Sequence, residues 1–565
     1  MVVVAVTRGG EVLPVRNGGS SPSGDERDAG RGSDFDPESS VVQRSCGEVQ
    51  MSSGVDREAD VLEADHVVVG SGSGGSPVIR RLLDEGRSVI VLEAGGEDDH
   101  EAITAPDRMF ELRGTELDHA FRTEPQASLG GRRVEWPRGR VLGGSSAING
   151  MIHMRGHRED FDSWARGGAD GWSYHDVLPI LRRLERLDPA GDPAYRGHEG
   201  PLPVRFNLDL HPLSAAQVQA ARQAGFPFNA DPNAEDPYGV SHVQLNIADG
   251  RRVSAWRAYL GSAREHERLT VLPGASAIRV LLERGKAVGV EYVRRGERRV
   301  ARARGEIVLS AGALGTPHVL QLSGIGPADA LRRVGITPVV DLPGVGENLH
   351  DHILSQVVWR SRRPIDASGH APFEVQLFAD SRAGLARPDL QPVTGFSAYP
   401  MPGYVFPEGR VYSWYPGVVR PRSRGRLWLR SADPMEQPLV DPAYLREQDD
   451  LDALVEGIQI TREIGRQAAL AEWNAEEIAP GPDVRTRAEL DAYARASLNT
   501  YYHPVGTARM GTDPLAVVDP RLRVYGVTGL RVADASIFPE IPSANTHVAA
   551  VMVGERAADF IAADS

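Results

Sequence analysis

The first chemically informative feature of the chain is a set of glycines and one acid, spaced as in a dinucleotide-binding turn. An apolar segment, residues 66–69, leads into Gly70, Gly72 and Gly75, and a second apolar segment ends at Glu93, about 20 residues later. Such glycines allow a tight turn and close approach of the backbone to a pyrophosphate, while the acid accepts hydrogen bonds from a ribose. The flanking apolar strands make the pattern specific. It predicts a bound dinucleotide, FAD or NAD(P).

A second group with chemical potential is His350-Asp351-His352, whose residue types are those of a metal site. Adjacent residues of one segment rarely converge on a single ion. We therefore predict no metal at this position.

Bulk properties limit which elements can position these residues. The chain has 565 residues, more than one hydrophobic core usually supports, so we expect two or more domains. Its net charge of −14 repels phosphate backbones, which argues against a nucleic-acid partner. No apolar run approaches the roughly 18 residues that cross a bilayer, so no transmembrane segment is predicted. The single cysteine, Cys46, excludes an intramolecular disulfide and suits a cytoplasmic protein.

The N-terminal segment differs from the rest of the chain. Residues 18–40 are rich in Gly, Ser, Asp, Glu and Arg and have almost no apolar side chains. Such a composition cannot offset its ordering entropy, so we predict residues 1–60 to be a disordered extension. Met51, shortly before the first strand, is a candidate for the true translation start. Residues 1–50 are then either a tail or untranslated.

The remaining pattern predicts a mixed α/β (α+β) protein. Short strand signals suggest a meander beside the main sheet and lie at residues 269–272, 278–282, 287–293 and 306–310. Residues 355–430 hold many aromatics, and the extended segments 410–415 and 425–430 predict an antiparallel sheet in a second domain. Its aromatics serve either as core or as a substrate-facing surface. A closing segment with helical spacing has Asn545 as its expected N-cap.

Several long motifs in a fixed order make the chain resemble the glucose–methanol–choline (GMC) oxidoreductases from about residue 65 to 562. They are the Gly70–Gly75 turn with Glu93 and residues 139–149, 310–326, 343–352, 502–507, 531–536 and 545–547. The closest likeness is to bacterial choline dehydrogenase-like and aryl- or furfuryl-alcohol oxidase-like members. The resemblance implies FAD as cofactor, oxidation of an alcohol to a carbonyl, and a structural loop rather than a metal site at His350–His352.

The resemblance also implies an architecture. A discontinuous Rossmann-like FAD-binding domain comprises residues 61–205, 265–355 and 505–565. An antiparallel-sheet substrate-binding domain comprises residues 206–264 and 356–504.

Two histidines are the catalytic residues that the resemblance implies. Removing a hydride from a carbinol carbon requires the hydroxyl proton to leave, and histidine is the side chain suited to accept it near neutral pH. His503 lies in the loop Tyr-His-Pro-Val-Gly-Thr and matches the family's base. His547 matches the partner position, which in this family is His or Asn, and is expected to hydrogen-bond the substrate oxygen.

The resemblance places a larger set of residues at the FAD. They are Gly70, Gly72, Ser73, Gly74, Gly75, Glu93, Arg140, Gly143, Gly144, Ser145, Asn149, Gly150, Met151, Ile152, Ala277, Ala311, Asp534, Ala535, Asn545, Thr546, His547 and Val548. Asp534 is expected to bind a ribityl or phosphate-side hydroxyl, and the helix beginning at Asn545 to point its N-terminus at the flavin pyrimidine ring. Ile148 stands where some relatives attach FAD through a histidine, so we predict non-covalent FAD.

Two alternatives remain beside alcohol oxidation. One is a flavoprotein of the same fold with a non-redox outcome, such as a lyase or photodecarboxylase, and the other is an NAD-dependent dehydrogenase. The expected partners are a small-molecule alcohol, apolar or aromatic and primary because of the aromatic-rich second domain, and an electron acceptor. Oxygen, a dye, a quinone and a redox protein are all candidates for that acceptor.

Overall fold

A buried parallel sheet carries the predicted dinucleotide turn. The computed structural model describes residues 61–189, 191–207 and 209–564, so the predictions for residues 1–60, Cys46 and Met51 lie outside the described residues. The sheet has five strands in the order Leu269–Pro273, Val89–Glu93, His66–Val69, Ile307–Leu309 and Leu530–Val532. Val67 pairs with Ile90 on one side and Ile307 on the other. These strands are apolar along their length because both faces of the sheet are covered.

Eleven α-helices occur within the described residues. They are α1 Gly75–Asp84, α2 Glu101–Thr104, α3 Arg158–Arg166, α4 Tyr174–Arg183, α5 Pro212–Gln223, α6 Ala255–Leu260, α7 Gly312–Leu322, α8 Ala328–Arg333, α9 Gln448–Gly465, α10 Arg487–Ser497 and α11 His547–Asp564. Short 3-10 helices span Pro106–Leu112, Ala127–Leu129, Gly144–Ala147, Ala468–Leu470 and Ala535–Ile537. Helix α1 follows the glycine turn and buries Val78, Ile79, Leu82 and Leu83, which share one face at helical spacing.

The predicted meander lies beside the parallel sheet. Its strands Ala275–Glu283, Lys286–Arg294 and Glu297–Ala303 pair antiparallel in sequence order, and Leu62–Ala64 adds a parallel edge strand. The first and fourth predicted segments, 269–272 and 306–310, are instead the strands Leu269–Pro273 and Ile307–Leu309 of the parallel sheet.

The second large sheet is antiparallel and has six strands. Its order is Asn474–Ala479, Val357–Ser361, Val411–Tyr415, Val393–Gly395, Val375–Phe378 and Gly239–His242. The predicted mixed α/β fold class is thereby confirmed. The prediction that residues 425–430 join this sheet is wrong, because Arg426–Trp428 pairs with Leu439–Asp441 in a separate two-stranded ribbon.

Smaller sheets complete the described strands. Two have three strands: Gly417–Val418, Ile353–Leu354 and Asn499–Thr500, and Glu185–Asp188, Leu202–Phe206 and Gln244–Leu245. Pairs are formed by Phe121–Arg122 with Glu135–Trp136, Ile247–Ala248 with Arg251–Arg252, and Ile325–Gly326 with Val340–Asp341. None of the helices in the described part of the chain combines the length and apolar character needed to cross a membrane. The proposed domain boundaries remain a prediction.

Candidate active site

A cavity of about 560 Å³ lies where the carboxyl ends of the parallel strands face the six-stranded sheet. The first wall contains Val69, Glu93 and Ser310, and the second contains Val393 and Tyr415. Ligands bind outside the carboxyl ends of parallel strands in open α/β sheets, and the volume is within the range of small-molecule sites. All the predicted cofactor and catalytic residues line this cavity, apart from Gly75, Gly143 and Val548.

At Gly70, Gly74 and Gly75 the turn leaves no room for a side chain. Gly70 has φ +95°, and a Cβ on Gly75 would lie 2.0 Å from the Gly70 carbonyl oxygen. A Cβ on Gly144 would lie 3.0 Å from Gly72 Cα, so the two glycine-rich segments touch backbone to backbone. The turn therefore exposes its backbone to the cavity, as close approach to a pyrophosphate requires.

Glu93 is buried beside this turn, and its carboxylate oxygens still have free hydrogen-bond acceptor positions. One carboxylate oxygen accepts from the Ser71 N–H (3.1 Å) and hydroxyl (2.7 Å), and the other accepts only from Gly95 N–H (2.8 Å). Burial raises the pKa of Glu93, against the lowering effect of these hydrogen bonds. Since an ionised carboxylate offers about four acceptor positions, Glu93 can still accept from a ribose hydroxyl in the cavity.

Asp534 lines the cavity just after Leu530–Val532, the last strand of the parallel sheet. Its carboxylate accepts from Gly312 N–H (2.9 Å), the Thr316 hydroxyl (2.6 Å) and Ser536 N–H (2.8 Å). Burial raises the pKa of Asp534 above its ordinary value. The carboxylate thus joins the start of α7 to its own segment and also lines the cavity.

Asn149 is fixed from behind by a buried arginine. The Asn149 side-chain oxygen accepts from Arg252 Nη1 (2.7 Å) and Met151 N–H (3.0 Å), and the Asn149 carbonyl accepts from Arg252 Nη1 at 2.5 Å. Burial lowers the pKa of Arg252 to about 9. The guanidinium charge therefore lies directly behind the cavity wall.

His503 projects a neutral ring into the cavity. Its Nδ1 lies 2.9 Å from His352 Nδ1, and its ring stacks on Tyr501 at 5.1 Å. Burial, with the nearby His352 and Arg138, lowers the pKa of His503 well below 6.5. The ring is therefore unprotonated at neutral pH and has one nitrogen available as a base.

The backbone under His503 is held by a buried acid. Asp351 accepts from the His503 N–H (2.7 Å), the Thr500 hydroxyl (2.6 Å) and the Tyr444 hydroxyl (2.5 Å). Burial raises the pKa of Asp351 to about 6. Tyr502, which precedes the histidine, has φ +67°, a strained value for a non-glycine residue. Its carbonyl accepts from Arg138 Nη2 at 2.7 Å, which helps to retain that conformation.

The three residues of the His-Asp-His segment have different partners. His350 accepts at Nε2 from Ile541 N–H (2.9 Å) and contacts the Asn348 carbonyl through Nδ1 (2.6 Å). His352 contacts His503, while Asp351 binds the loop backbone. Within the described residues, no group of three or more His, Cys, Asp or Glu is arranged to hold a metal ion.

The residue beside His503 is Asn545 and not His547. Asn545 Nδ2 lies 3.4 Å from His503 Nε2, whereas His547 Nδ1 lies 2.8 Å from the Ser73 hydroxyl. Burial lowers the pKa of His547 to about 3. His547 thus lines the cavity with its Nδ1 beside the glycine turn, and its predicted hydrogen bond to the substrate oxygen stays a prediction.

Asn545 also does not cap α11. The helix begins at His547, so Thr546 precedes its first residue, and the Asn545 side-chain oxygen accepts from Gln391 Nε2 at 2.9 Å. Gln391 in turn donates to Gln376 Oε1 at 3.2 Å. Because its oxygen is used by Gln391, Asn545 presents its NH₂ group to His503 and the cavity.

Part of the predicted aromatic surface reaches the cavity. Phe373, Tyr399 and Tyr415 line it next to Met151 and Leu354, whereas Trp414 and Tyr412 are buried in the core of the six-stranded sheet. Both readings of the aromatic region thus apply, each to different residues.

Comparisons with known proteins agree with this geometry. Models of the GMC oxidoreductase family match residues 64–354 with their N-terminal part and 421–554 with their C-terminal part. The oxygen-dependent choline dehydrogenase of Vibrio vulnificus (strain YJ016) is 38% identical over 527 residues, covering 88% of this chain and 94% of that protein.

Two solved structures extend the likeness to three dimensions. Pyridoxine 4-oxidase from Mesorbium loti has 34% identity and a TM-score of 0.84, covering 88% of this chain and 98% of that chain. A mutant of formate oxidase from Aspergillus oryzae RIB40, made to study FAD modification, has 27% identity and a TM-score of 0.82, covering 89% and 99%.

Proposed function

The chain belongs to the GMC oxidoreductase family, FAD enzymes that act on CH–OH groups, and on that premise we propose that it oxidises an apolar or aromatic primary alcohol to the aldehyde. His503 is the proposed general base and Asn545 the donor to the substrate oxygen. The supporting observation is the arrangement of these two side chains, with an unprotonated imidazole nitrogen and an amide NH₂ group 3.4 Å apart at one cavity.

The residues at the cavity fit FAD. The glycine-rich turn at Gly70–Gly75 suits a pyrophosphate, Glu93 has a free acceptor for a ribose, and the N-terminus of α11 faces the cavity at residues 545–547. When bound, FAD accepts the hydride from the alcohol carbon. The N–H groups at the start of α11 offer stabilisation to negative charge there.

The protonation states follow from the hydrogen bonds. Asn545 donates toward His503 Nε2, so that nitrogen is the acceptor and the proton of the ring lies on Nδ1, donated to His352. A substrate hydroxyl between the two groups accepts from Asn545 Nδ2 and donates to His503 Nε2. His503 then takes the hydroxyl proton as the carbinol hydrogen leaves.

The amide of Asn545 is expected to matter more than the imidazole of His547. Asn545→Ala and the isosteric Asn545→Asp remove the donor to the developing negative charge, and each is expected to slow flavin reduction roughly 100-fold. Asn545→His keeps a donor and is expected to recover much of the rate. Stopped-flow flavin reduction measures the effect, and a His547→Ala variant that is slower than Asn545→Ala would restore His547 as the partner.

The hydrophobic end of the cavity supports the proposed substrate class. Met151, Leu354, Val393 and Tyr415 are buried and line the cavity close to the histidine loop. Burying apolar substrate surface against such groups is favourable by about 25 cal/mol per Å².

A panel of alcohols tests the proposed function directly. The purified yellow protein is mixed without oxygen, in the dark, with benzyl alcohol, hexanol, choline and glucose, and flavin bleaching is followed. Benzyl alcohol or hexanol is expected to bleach the flavin, with a primary isotope effect when the carbinol hydrogens are deuterium. Reoxidation with oxygen and with a dye then identifies the acceptor. Bleaching by none of the alcohols would refute the proposal, and turnover of a carboxylic acid only under light would favour the photodecarboxylase-like alternative.

We also propose that FAD is held without a covalent bond. Ile148 lines the cavity where some relatives carry the linking histidine, and its side chain has no nucleophilic atom. Acid or heat precipitation is expected to release all the yellow colour into the supernatant, and thermal stability to rise with added FAD. Colour that stays with a washed pellet contradicts this proposal.

A further inference from the structure

Arg113 reaches the cavity among aromatic rings. The Arg113 guanidinium carbon lies 4.6 Å from the centre of the Tyr502 ring, 4.7 Å from that of Phe110 and 5.7 Å from that of Tyr399. Arg113, Tyr399 and Tyr502 all line the cavity, and Tyr502 is the chain neighbour of His503. The guanidinium thus lies over the ring of the residue that precedes the proposed base.

No carboxylate of the described residues forms an ion pair with this guanidinium. Among the ion pairs of the described residues, none includes Arg113, whereas the nearby Arg108 is paired with Glu111 at 2.8 Å. Of the acids on this side of the cavity, Asp118 accepts from the backbone N–H groups of Gly114, Ala120 and Arg138. Glu436 is exposed and accepts from the Ser431 hydroxyl. A permanently charged guanidinium therefore faces the cavity without an anion.

The same arrangement is unsuited to a cationic alcohol. Quaternary ammonium groups are recognised by the open faces of aromatic rings, but Arg113 already covers Tyr502 and Tyr399. Two further arginines, Arg138 and Arg140, line the cavity, and Arg138 lies near the carboxylates of Asp118 and Asp351, which Arg113 lacks as ion-pair partners among the described residues. A second cation here meets repulsion that low local dielectric strengthens.

We propose that Arg113 selects alcohols that carry a carboxylate at the end remote from the hydroxymethyl group. The planar guanidinium can pair with a carboxylate through two parallel hydrogen bonds, while the apolar wall contacts the body of the substrate. The inference rests on the proposed function, because it names the substrate class of the same site.

Equilibrium binding to the yellow holoenzyme tests the anion site without turnover. Benzoate and benzyltrimethylammonium are titrated while the flavin absorbance is recorded. Benzoate is expected to bind and benzyltrimethylammonium not to bind. Arg113→Met should raise the Kd for benzoate roughly 10- to 100-fold, and Arg113→Lys should raise it less. Arg122→Met, at an exposed position on the short strand Phe121–Arg122, is the matched control and should bind as the wild type does.

Turnover separates this inference from the proposed function. The kcat/KM for 4-(hydroxymethyl)benzoate is expected to exceed that for benzyl alcohol, and Arg113→Met should abolish the difference while retaining benzyl alcohol oxidation. Equal use of both alcohols by the wild type, or equal loss of both in Arg113→Met, would overturn the selectivity and leave alcohol oxidation standing. Failure of every alcohol to reduce the flavin would overturn the proposed function itself.

Discussion

Replacing His503 with alanine is expected to leave a yellow protein whose flavin is reduced by alcohol about 10²- to 10⁴-fold more slowly, the usual contribution of a positioned general base. The substitution removes the Nε2 acceptor that faces Asn545 and the cavity. It leaves the glycine turn, Glu93 and Asp534 intact, so FAD content should be unchanged. Anaerobic stopped-flow reduction and the absorbance ratio of flavin to protein measure the two effects separately.

His175→Ala provides the control for loss of a histidine in general. The His175 side chain is 98% exposed and remote from the cavity wall, so this variant should reduce its flavin at the wild-type rate. If His503→Ala also keeps the wild-type rate, another group accepts the proton and the assignment fails.

Replacing Glu93 with alanine is expected to remove most of the bound FAD. The change deletes the free acceptor for the ribose and leaves the Ser71 and Gly95 N–H groups without partners. Losing hydrogen bonds to a charged acceptor costs about 1.5–3 kcal/mol each, so the Kd for FAD should rise at least roughly 10-fold. The flavin content after gel filtration, and the Kd from titration of the apoprotein with FAD, measure the loss.

The matched control is Glu85→Ala, an exposed acid just after α1. It should retain FAD as the wild type does. A Glu93→Ala protein that unfolds would carry no information on the ribose, so Glu93→Gln, which preserves the volume, is measured beside it. Full FAD retention in both Glu93 variants would show that the ribose is held elsewhere.

The parts of the fold that the sequence predicts correctly are those whose pattern is contained within one short segment. The turn at Gly70–Gly75, the apolar parallel strands and the two meander strands Ala275–Glu283 and Lys286–Arg294 each follow from spacing and side-chain type within a short segment. The ribbon at Arg426–Trp428 was misplaced because an extended segment does not indicate which strand it pairs with. Its partner, Leu439–Asp441, carries no signal of its own.

The site was predicted less completely because its chemistry is assembled by tertiary contacts. Asn545 has the propensity of an N-cap, but Gln391, more than 150 residues earlier in the chain, takes its oxygen and turns the amide toward His503. His352 was recognised only as part of a motif, and Arg113 belongs to none of the motifs. One signal for Asn545 was available in the sequence. The partner position of the family is either His or Asn, and this chain has Asn545 only two residues before His547.

The hydrogen bonds of Asp351 have a consequence for the order in which the molecule becomes competent. They join the Thr500 and His503 segment to Tyr444, which itself accepts from Trp136 Nε1 at 2.8 Å. Four stretches distant in sequence are therefore linked through the Asp351 carboxylate and the Tyr444 hydroxyl. The glycine turn and Glu93, by contrast, lie within one short βαβ segment. Because non-local contacts form late in folding, the loop that carries His503 should reach its final conformation after this local segment has formed. Alcohol oxidation is therefore expected to return late in the refolding of this enzyme.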